Sequence, residues 1–229
     1  MGEVLITIGR FFSALKNGDF LANKLNTVKA PQLQIGSILQ GGLLTVSLPP
    51  IISVFGYKDS GKTTVATQII HHLSSLNRYV LSAKHVGDPT FAIDSPGTDS
   101  YRHLEAGATA TILHSETSTT LLLNKPVKDF WALLELGVKA VSVDVIVVEG
   151  FRTWTQQHQK IAKIICIRSL EEIFEFEART ASPILGQCTL NPEIQSVINI
   201  PDEFPFLLEA IDKWLLTAPS ITIGEKNDQ

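Results

Sequence analysis

Between the apolar run Ile51-Ile-Ser-Val-Phe55 and the stretch Val65-Ala-Thr-Gln-Ile69 lies Gly56-Tyr-Lys-Asp-Ser-Gly61-Lys62-Thr63-Thr64. The pattern is G-x-x-x-x-G-K-T, set between a strand-like and a helix-like segment, which is the context a phosphate-binding loop requires. Glycines let the backbone curl so that successive N–H groups point inward, and the start of the helix adds partial positive charge at the same spot. Only about 0.01 such patterns are expected by chance in a chain of this composition, and the flanking segments lower that further. An ordinary glycine turn before a capped helix is the competing reading. The expected phosphate-holding residues are Gly56, Asp59, Ser60, Gly61, Lys62, Thr63 and Thr64, with Lys62 reaching the β- and γ-phosphates and the Thr63 hydroxyl ligating Mg²⁺. Lys58 reads as a solvated loop charge.

A magnesium ion at such a loop needs a carboxylate at the carboxyl end of a neighbouring strand, because it takes hard oxygen ligands and keeps several waters. Val143-Asp-Val-Ile-Val-Val-Glu149-Gly150 supplies one. An apolar strand ending in Glu-Gly places Glu149 at the ligand-binding edge of a parallel sheet, so Thr63 and Glu149 form the expected metal pair. Asp144, near the strand's start, reads as a strand-entry residue.

After Pro50 short apolar runs alternate with helical stretches, the signature of βαβ units around a parallel sheet. The expected strands are 51–55, 79–83, 110–114, 119–123, 143–148 and 161–167. The expected helices are 62–76, 101–106 and 128–136; two further, weaker elements fall at 170–176 and 204–216, the second with an apolar face at helical spacing that includes Trp214. The fold class is α/β, a three-layer phosphate-loop NTPase fold with a mostly parallel sheet and helices on both faces. Residues 51–219 form the expected nucleotide-binding domain, 1–50 an extension without an assignable motif, and 220–229 a disordered tail. The uncharged span 30–57 is interrupted by glutamines, Gly41, Gly42 and Pro49-Pro50, and is expected to form strands and turns rather than cross a membrane.

Composition narrows the partners. The 229 residues carry 19 Lys plus Arg against 23 Asp plus Glu, a net charge of -4, which disfavours nucleic acid and anionic membranes as partners. The two cysteines, Cys166 and Cys188, lack the spacing of a zinc module or disulfide scaffold and are expected as free thiols in a reducing cytoplasm. Glu3, Arg10 and Lys16 do not give the layout of a secretory signal.

Further segments line up in order: Ala83-Lys84-His85, then Asp94-Ser-Pro-Gly-Thr-Asp99-Ser100-Tyr101-Arg102, then Ala106-Gly-Ala108, then Val148-Glu149-Gly150-Phe151-Arg152. Together with the loop, this series resembles the molybdopterin-guanine dinucleotide biosynthesis protein B (MobB) family over about residues 51–170. The resemblance implies GTP and Mg²⁺ binding, slow intrinsic hydrolysis and a homodimer. It also implies an accessory role in attaching a guanosine nucleotide to the molybdenum cofactor, with molybdopterin or its guanine dinucleotide and a guanylyltransferase as partners. By the same resemblance, Lys62, Glu149 and Asp94 carry catalysis, and Lys84, His85, Asp99 and Arg152 contact the nucleotide or pterin. Each has a plainer reading: a surface lysine, a strand-end histidine, a turn at Pro96-Gly97, a helix cap at Asp99 and an exposed arginine.

The sequence departs from the family pattern after Lys84-His85, where Val86-Gly-Asp-Pro89 brings no further histidine. A metal role for such histidines is therefore not carried over. His71 and His72 sit on the helix after the loop and need no special role. No N-K-x-D segment reads guanine, since Asn124-Lys125 continues with Pro126-Val127, so the base identity rests on resemblance. Two alternatives stay open: an ATP-dependent small-molecule kinase or ligase with the same phosphate-loop fold, and a non-catalytic, nucleotide-controlled adaptor for a guanylyltransferase.

Overall fold

The computed structural model describes residues 4–8, 38–40 and 43–223. In chain order the strands are β1 (Val4–Ile8), β2 (Ile38–Gln40), β3 (Leu43–Leu48), β4 (Ile51–Gly56), β5 (Val80–Lys84) and β6 (Ala110–His114). They continue with β7 (Thr119–Leu123), β8 (Val145–Glu149), β9 (Ala162–Ile167), β10 (Ile184–Thr189), β11 (Ile198–Asn199) and β12 (Ile221–Ile223). The helices are α1 (Lys62–Ser75), α2 (Asp99–Glu105), α3 (Phe130–Ala140), α4 (Arg152–Thr155), α5 (Leu170–Arg179) and α6 (Phe204–Leu215). The chain divides into two compact units, one from residues 1–34 and 86–133, the other from 35–85 and 134–229.

In the larger unit β11-β10-β9-β4-β8-β5 form a sheet in which every pairing is parallel. Parallel sheets are covered on both faces, and the central strands accordingly carry near-continuous apolar runs. Ile51, Ile52, Val54 and Phe55 of β4 and Val145 to Val148 of β8 are at most 1% exposed. One face packs Ile52, Val54, Ile164 and Cys166 against Val65, Ala66, Ile69 and Leu73 of α1 and Phe204, Leu207 and Ile211 of α6, with Trp214 partly buried against them. His72 of α1 faces Asp212 of α6 at 3.0 Å, a half-exposed pair worth under about 1 kcal/mol. The opposite face packs Phe55, Ile165 and Ile167 against Ile173 and Phe176 of α5. There the Ser53 hydroxyl donates to Thr155 Oγ1 of α4 at 2.8 Å.

Lys163 of β9 is fully buried and donates from Nζ to the His158 and Ser182 carbonyls. Loss of hydration lowers its ammonium pKa to about 8.

The expected strands at 110–114 and 119–123 exist with those bounds, but not in the parallel sheet. β6 and β7 pair antiparallel as a hairpin, β7 also pairs β1, and this three-stranded sheet belongs to the smaller unit. The four residues 115–118 are too few for a crossover and allow only a hairpin. β10 and β11 have no counterpart in the sequence reading, because Gly186 and Gln187 dilute the apolar run of β10. Gly186 is small for a reason: a Cβ there would stand 2.9 Å from Ile198 Cδ1 and 3.0 Å from Leu207 Cδ1.

The stretch 1–50 supplies β1 to the smaller unit and β2 and β3 to the larger. Ile221–Ile223, expected within a disordered tail, instead pairs with Val46 to Leu48 of β3, and Ile221 is 3% exposed. Burying that isoleucine outweighs the polar character of the chain's last residues. The rest of that expected tail, 224–229, lies outside the described residues. Among the described residues no helix is long and apolar enough to cross a membrane.

Candidate functional site

The loop 57–61 leaves the carboxyl end of β4 and turns directly into α1. Gly56 pairs with Cys166 of β9 and passes so close that a Cβ on it would stand 2.2 Å from the Cys166 carbonyl oxygen and 2.6 Å from Ser60 Oγ. Asp59 has φ 61° and Gly61 has φ 84°, so the loop closes through two left-handed residues. Gly61 is the N-cap of α1, no side chain among the described residues caps the helix, and its first turn holds no acidic residue. The early N–H groups of a fourteen-residue helix are therefore left to an anion. The Ser60 hydroxyl oxygen is buried without a hydrogen-bond partner among the described residues.

Lys62 folds back across the loop, and its Nζ donates to the Tyr57 carbonyl. Beneath the loop, burial raises the Cys166 thiol to about 12, against the opposing pull of the Lys62 charge. A thiol so placed is packing, not a nucleophile.

Thr63 and Glu149, expected as the metal pair, touch: Thr63 Oγ1 donates to Glu149 Oε1 at 2.6 Å. Lys84, at the end of the adjacent β5, bridges them, with Nζ 2.9 Å from Thr63 Oγ1 and 2.8 Å from Glu149 Oε1. Both strands end at the same edge because Lys84 and Glu149 are register partners. The Glu149 side chain is 12% exposed and its charge is met by Lys84. A hydroxyl and a carboxylate oxygen already sharing one cation are a donor set that suits magnesium, which takes its remaining ligands from water and phosphate. Among the described residues no cluster of three or more His, Cys, Asp or Glu offers a larger set.

His85 comes next, its ring edge-on to Phe151 with centroids 5.5 Å apart, and its N–H continues the ladder to the Glu149 carbonyl. Gly150 at φ 86° and Phe151 at φ 52° then reverse the chain so that Arg152 opens α4. The Arg152 guanidinium lies over the rings of Tyr57 and Phe176, at 5.4 and 5.8 Å from the centroids.

Asp94 and Asp99 belong to the smaller unit. Asp94 Oδ1 accepts from the Ser95 N–H at 2.9 Å and the Thr98 hydroxyl at 2.7 Å, and the Thr98 bond leads in lowering its pKa. Its Oδ2 is buried and unpartnered among the described residues. The helix cap expected at Asp99 is Thr98, whose extended backbone lets its hydroxyl accept from the Tyr101 N–H. Asp99 is the first helical residue, 3.4 Å from Arg102.

Two groups beside the loop have no counterpart in the sequence reading. Tyr57 donates from its hydroxyl to Glu175 at 2.6 Å and lies under both Arg152 and Arg168. Arg168, just past β9, pairs with Glu172 at 2.6 Å and donates to the Lys58 carbonyl at 3.2 Å. The contacts from Arg168 to Lys58 and from Tyr57 to Glu175 span 110 and 118 residues of sequence, and no local pattern announces them.

Known proteins are similar to this chain in sequence and fold. The family described as "Molybdopterin guanine dinucleotide synthesis protein B" matches residues 51–178. A Methanocaldococcus jannaschii relative is 30% identical over 118 residues, which is 52% of this chain and 47% of that protein. The Haemophilus influenzae molybdopterin-guanine dinucleotide biosynthesis adapter protein is 27% identical over 172 residues, covering 72% of this chain and 89% of its own length. The chain thus spans about half of the first relative and most of the second. The crystal structure of Bacillus subtilis MobB superposes with a TM-score of 0.55 at 22% identity, over 72% of this chain and 96% of that one, and shares the fold. With the family match running from β4 into α5, the chain belongs to the molybdopterin guanine dinucleotide synthesis protein B family.

Proposed function

We propose that this protein binds GTP with Mg²⁺ at residues 56–64 and serves as an accessory protein in molybdopterin guanine dinucleotide synthesis. Its partners in this reading are molybdopterin or its guanine dinucleotide, a guanylyltransferase and a second copy of the chain, in the cytoplasm. The observation that carries it is the triad at the sheet edge, where Thr63 and Glu149 share the Lys84 ammonium beside an uncapped helix start. Lys62 and the amides of residues 60–64 hold the phosphates. Thr63 and Glu149 hold the ion, which screens phosphate charge when bound. Lys84, displaced from those oxygens, and Arg152, bound among the described residues to aromatic faces only, are the cations left to meet further phosphate or pterin charge. Asp94 and Asp99 are proposed as responsive to the nucleotide through their loop, with Asp94 assisting hydrolysis.

Hydrolysis is slow in this reading, because it assigns no residue of the chain as an arginine finger or to orient the attacking water. Calorimetry with GTP and magnesium tests it. Lys62→Ala abolishes binding while the circular dichroism spectrum stays unchanged, and unaltered affinity refutes the cradle.

A further inference from the structure

The loop after β10 runs Leu190-Asn191-Pro192-Glu193. Its first residue lies against the phosphate loop: a Cβ on Gly61 would stand 2.7 Å from Leu190 Cδ1. Leu190 nevertheless remains 47% exposed, an apolar surface at the mouth of the candidate site.

The sheet order fixes which way a bound nucleotide runs. From β4, the neighbours on one side are β8 and β5, which end in Glu149 and Lys84. That side takes the ion and the terminal phosphates. The other side is β9 and then β10, so the nucleoside leaves the loop toward the ends of those strands, as ligands of open parallel sheets lie beyond the carboxyl edge.

The loop after β10 is braced. Thr189 Oγ1 accepts from the Asn191 N–H at 3.1 Å, Asn191 Oδ1 accepts from the Glu193 N–H at 3.0 Å, and the Asn191 carbonyl accepts from the Ile194 N–H at 3.1 Å. Ile194 is 4% exposed, and its carbonyl accepts from Asn199 Nδ2 at 3.0 Å. These bonds use the Asn191 oxygen and leave its Nδ2 donor. The Glu193 carboxylate is likewise without a protein partner among the described residues. One donor and one anionic acceptor, two residues apart on a rigid loop, match guanine, which offers O6 as acceptor and N1–H and N2–H₂ as donors. Adenine presents an acceptor at N1, which a carboxylate repels.

The geometry points to Asn191 and Glu193 as the guanine-selecting residues of this site, with Leu190 as the apolar surface beside the base. This rests on the nucleotide reading above and supplies the base recognition that N-K-x-D would otherwise give.

The test is calorimetry on the full chain with magnesium and four probes: GDP, ADP, xanthosine diphosphate and inorganic tripolyphosphate. The wild type favours GDP over ADP by about tenfold or more. Glu193→Gln loses that preference and gains about tenfold for xanthosine diphosphate, whose O2 now meets an amide donor, while tripolyphosphate affinity stays within about twofold. Glu193→Ala loses GDP preference without gaining the xanthine probe. Tripolyphosphate binding with base ratios unchanged by both variants, or with no guanine preference in the wild type, overturns the selection and leaves the cradle standing. A wild type that binds none of the four, tripolyphosphate included, overturns both.

Discussion

Replacing Gly56 by alanine is the sharpest probe of the loop. The new Cβ would stand 2.2 Å from the Cys166 carbonyl oxygen and 2.6 Å from Ser60 Oγ, whereas ordinary contacts begin near about 3.5 Å. More than an ångström of movement is needed. The carbonyl has nowhere to retreat, because Cys166 pairs with Gly56 on one side and Cys188 on the other. The loop must therefore lift off β9. Overpacking costs about 1–3 kcal/mol and a lost ladder bond about 1 kcal/mol, so the expected destabilisation is about 2–4 kcal/mol.

Urea unfolding followed by tryptophan fluorescence reads this as a midpoint lowered by about 1 M, for a slope of about 2–3 kcal/mol/M. Calorimetry with tripolyphosphate reads the second consequence: N–H groups displaced by an ångström lose about a hundredfold in affinity. Gly87→Ala is the control, since a Cβ there meets nothing within 4 Å, and it stays within about 0.5 kcal/mol of wild type. If Gly56→Ala matches that control in both assays, the close approach of β4 to β9 does not shape the loop, and the argument fails.

Buried groups set two further outcomes. Burial lowers Lys163 from 10.5 to about 8 in the folded chain, so below pH 8 both states are protonated and the full cost of about 3 kcal/mol applies; it is relieved as pH rises to 10.5. Urea midpoints should therefore rise for wild type relative to Lys163→Met across that window, and parallel pH profiles would contradict a buried ammonium. Burial also pushes the Cys166 thiol up to about 12 and the Cys188 thiol higher still, so a disulfide reagent at pH 8 reacts only as fast as the chain unfolds, and rapid labelling of native protein would show the core misassigned.

Legibility in the sequence divides along the range of the interactions. β4, the loop and α1 were legible because glycine conformational freedom, the apolar run and the helix period all act within about 25 residues. Glu149 was legible because an unbroken apolar strand ending in Glu-Gly allows few other placements. The hairpin of β6 and β7 was legible as two strands, yet its direction depends on a four-residue connection that periodicity ignores. β10 was hidden because its glycine answers to Ile198 and Leu207, neither of them local. Arg168 and Tyr57 were hidden because their roles arise from contacts across the sheet's carboxyl edge.

The charges at that edge also rank the anions it suits. Glu149 and Lys84 neutralise each other at 2.8 Å, and Arg168 is met by Glu172. Lys62 is different: among the described residues it has only the Tyr57 carbonyl, a dipole that gives back less than an anion does. Among the described residues Arg152 meets ring faces, which satisfy a cation's field but do not pair its N–H donors. The uncapped start of α1 adds partial positive charge in the same quarter. A single carboxylate would satisfy one of these and leave the others wanting. A polyphosphate reaches several at once, and with an ion on Thr63 and Glu149 it frees Lys84 as well, so affinity rises with phosphate number more steeply than the count of contacts alone would give.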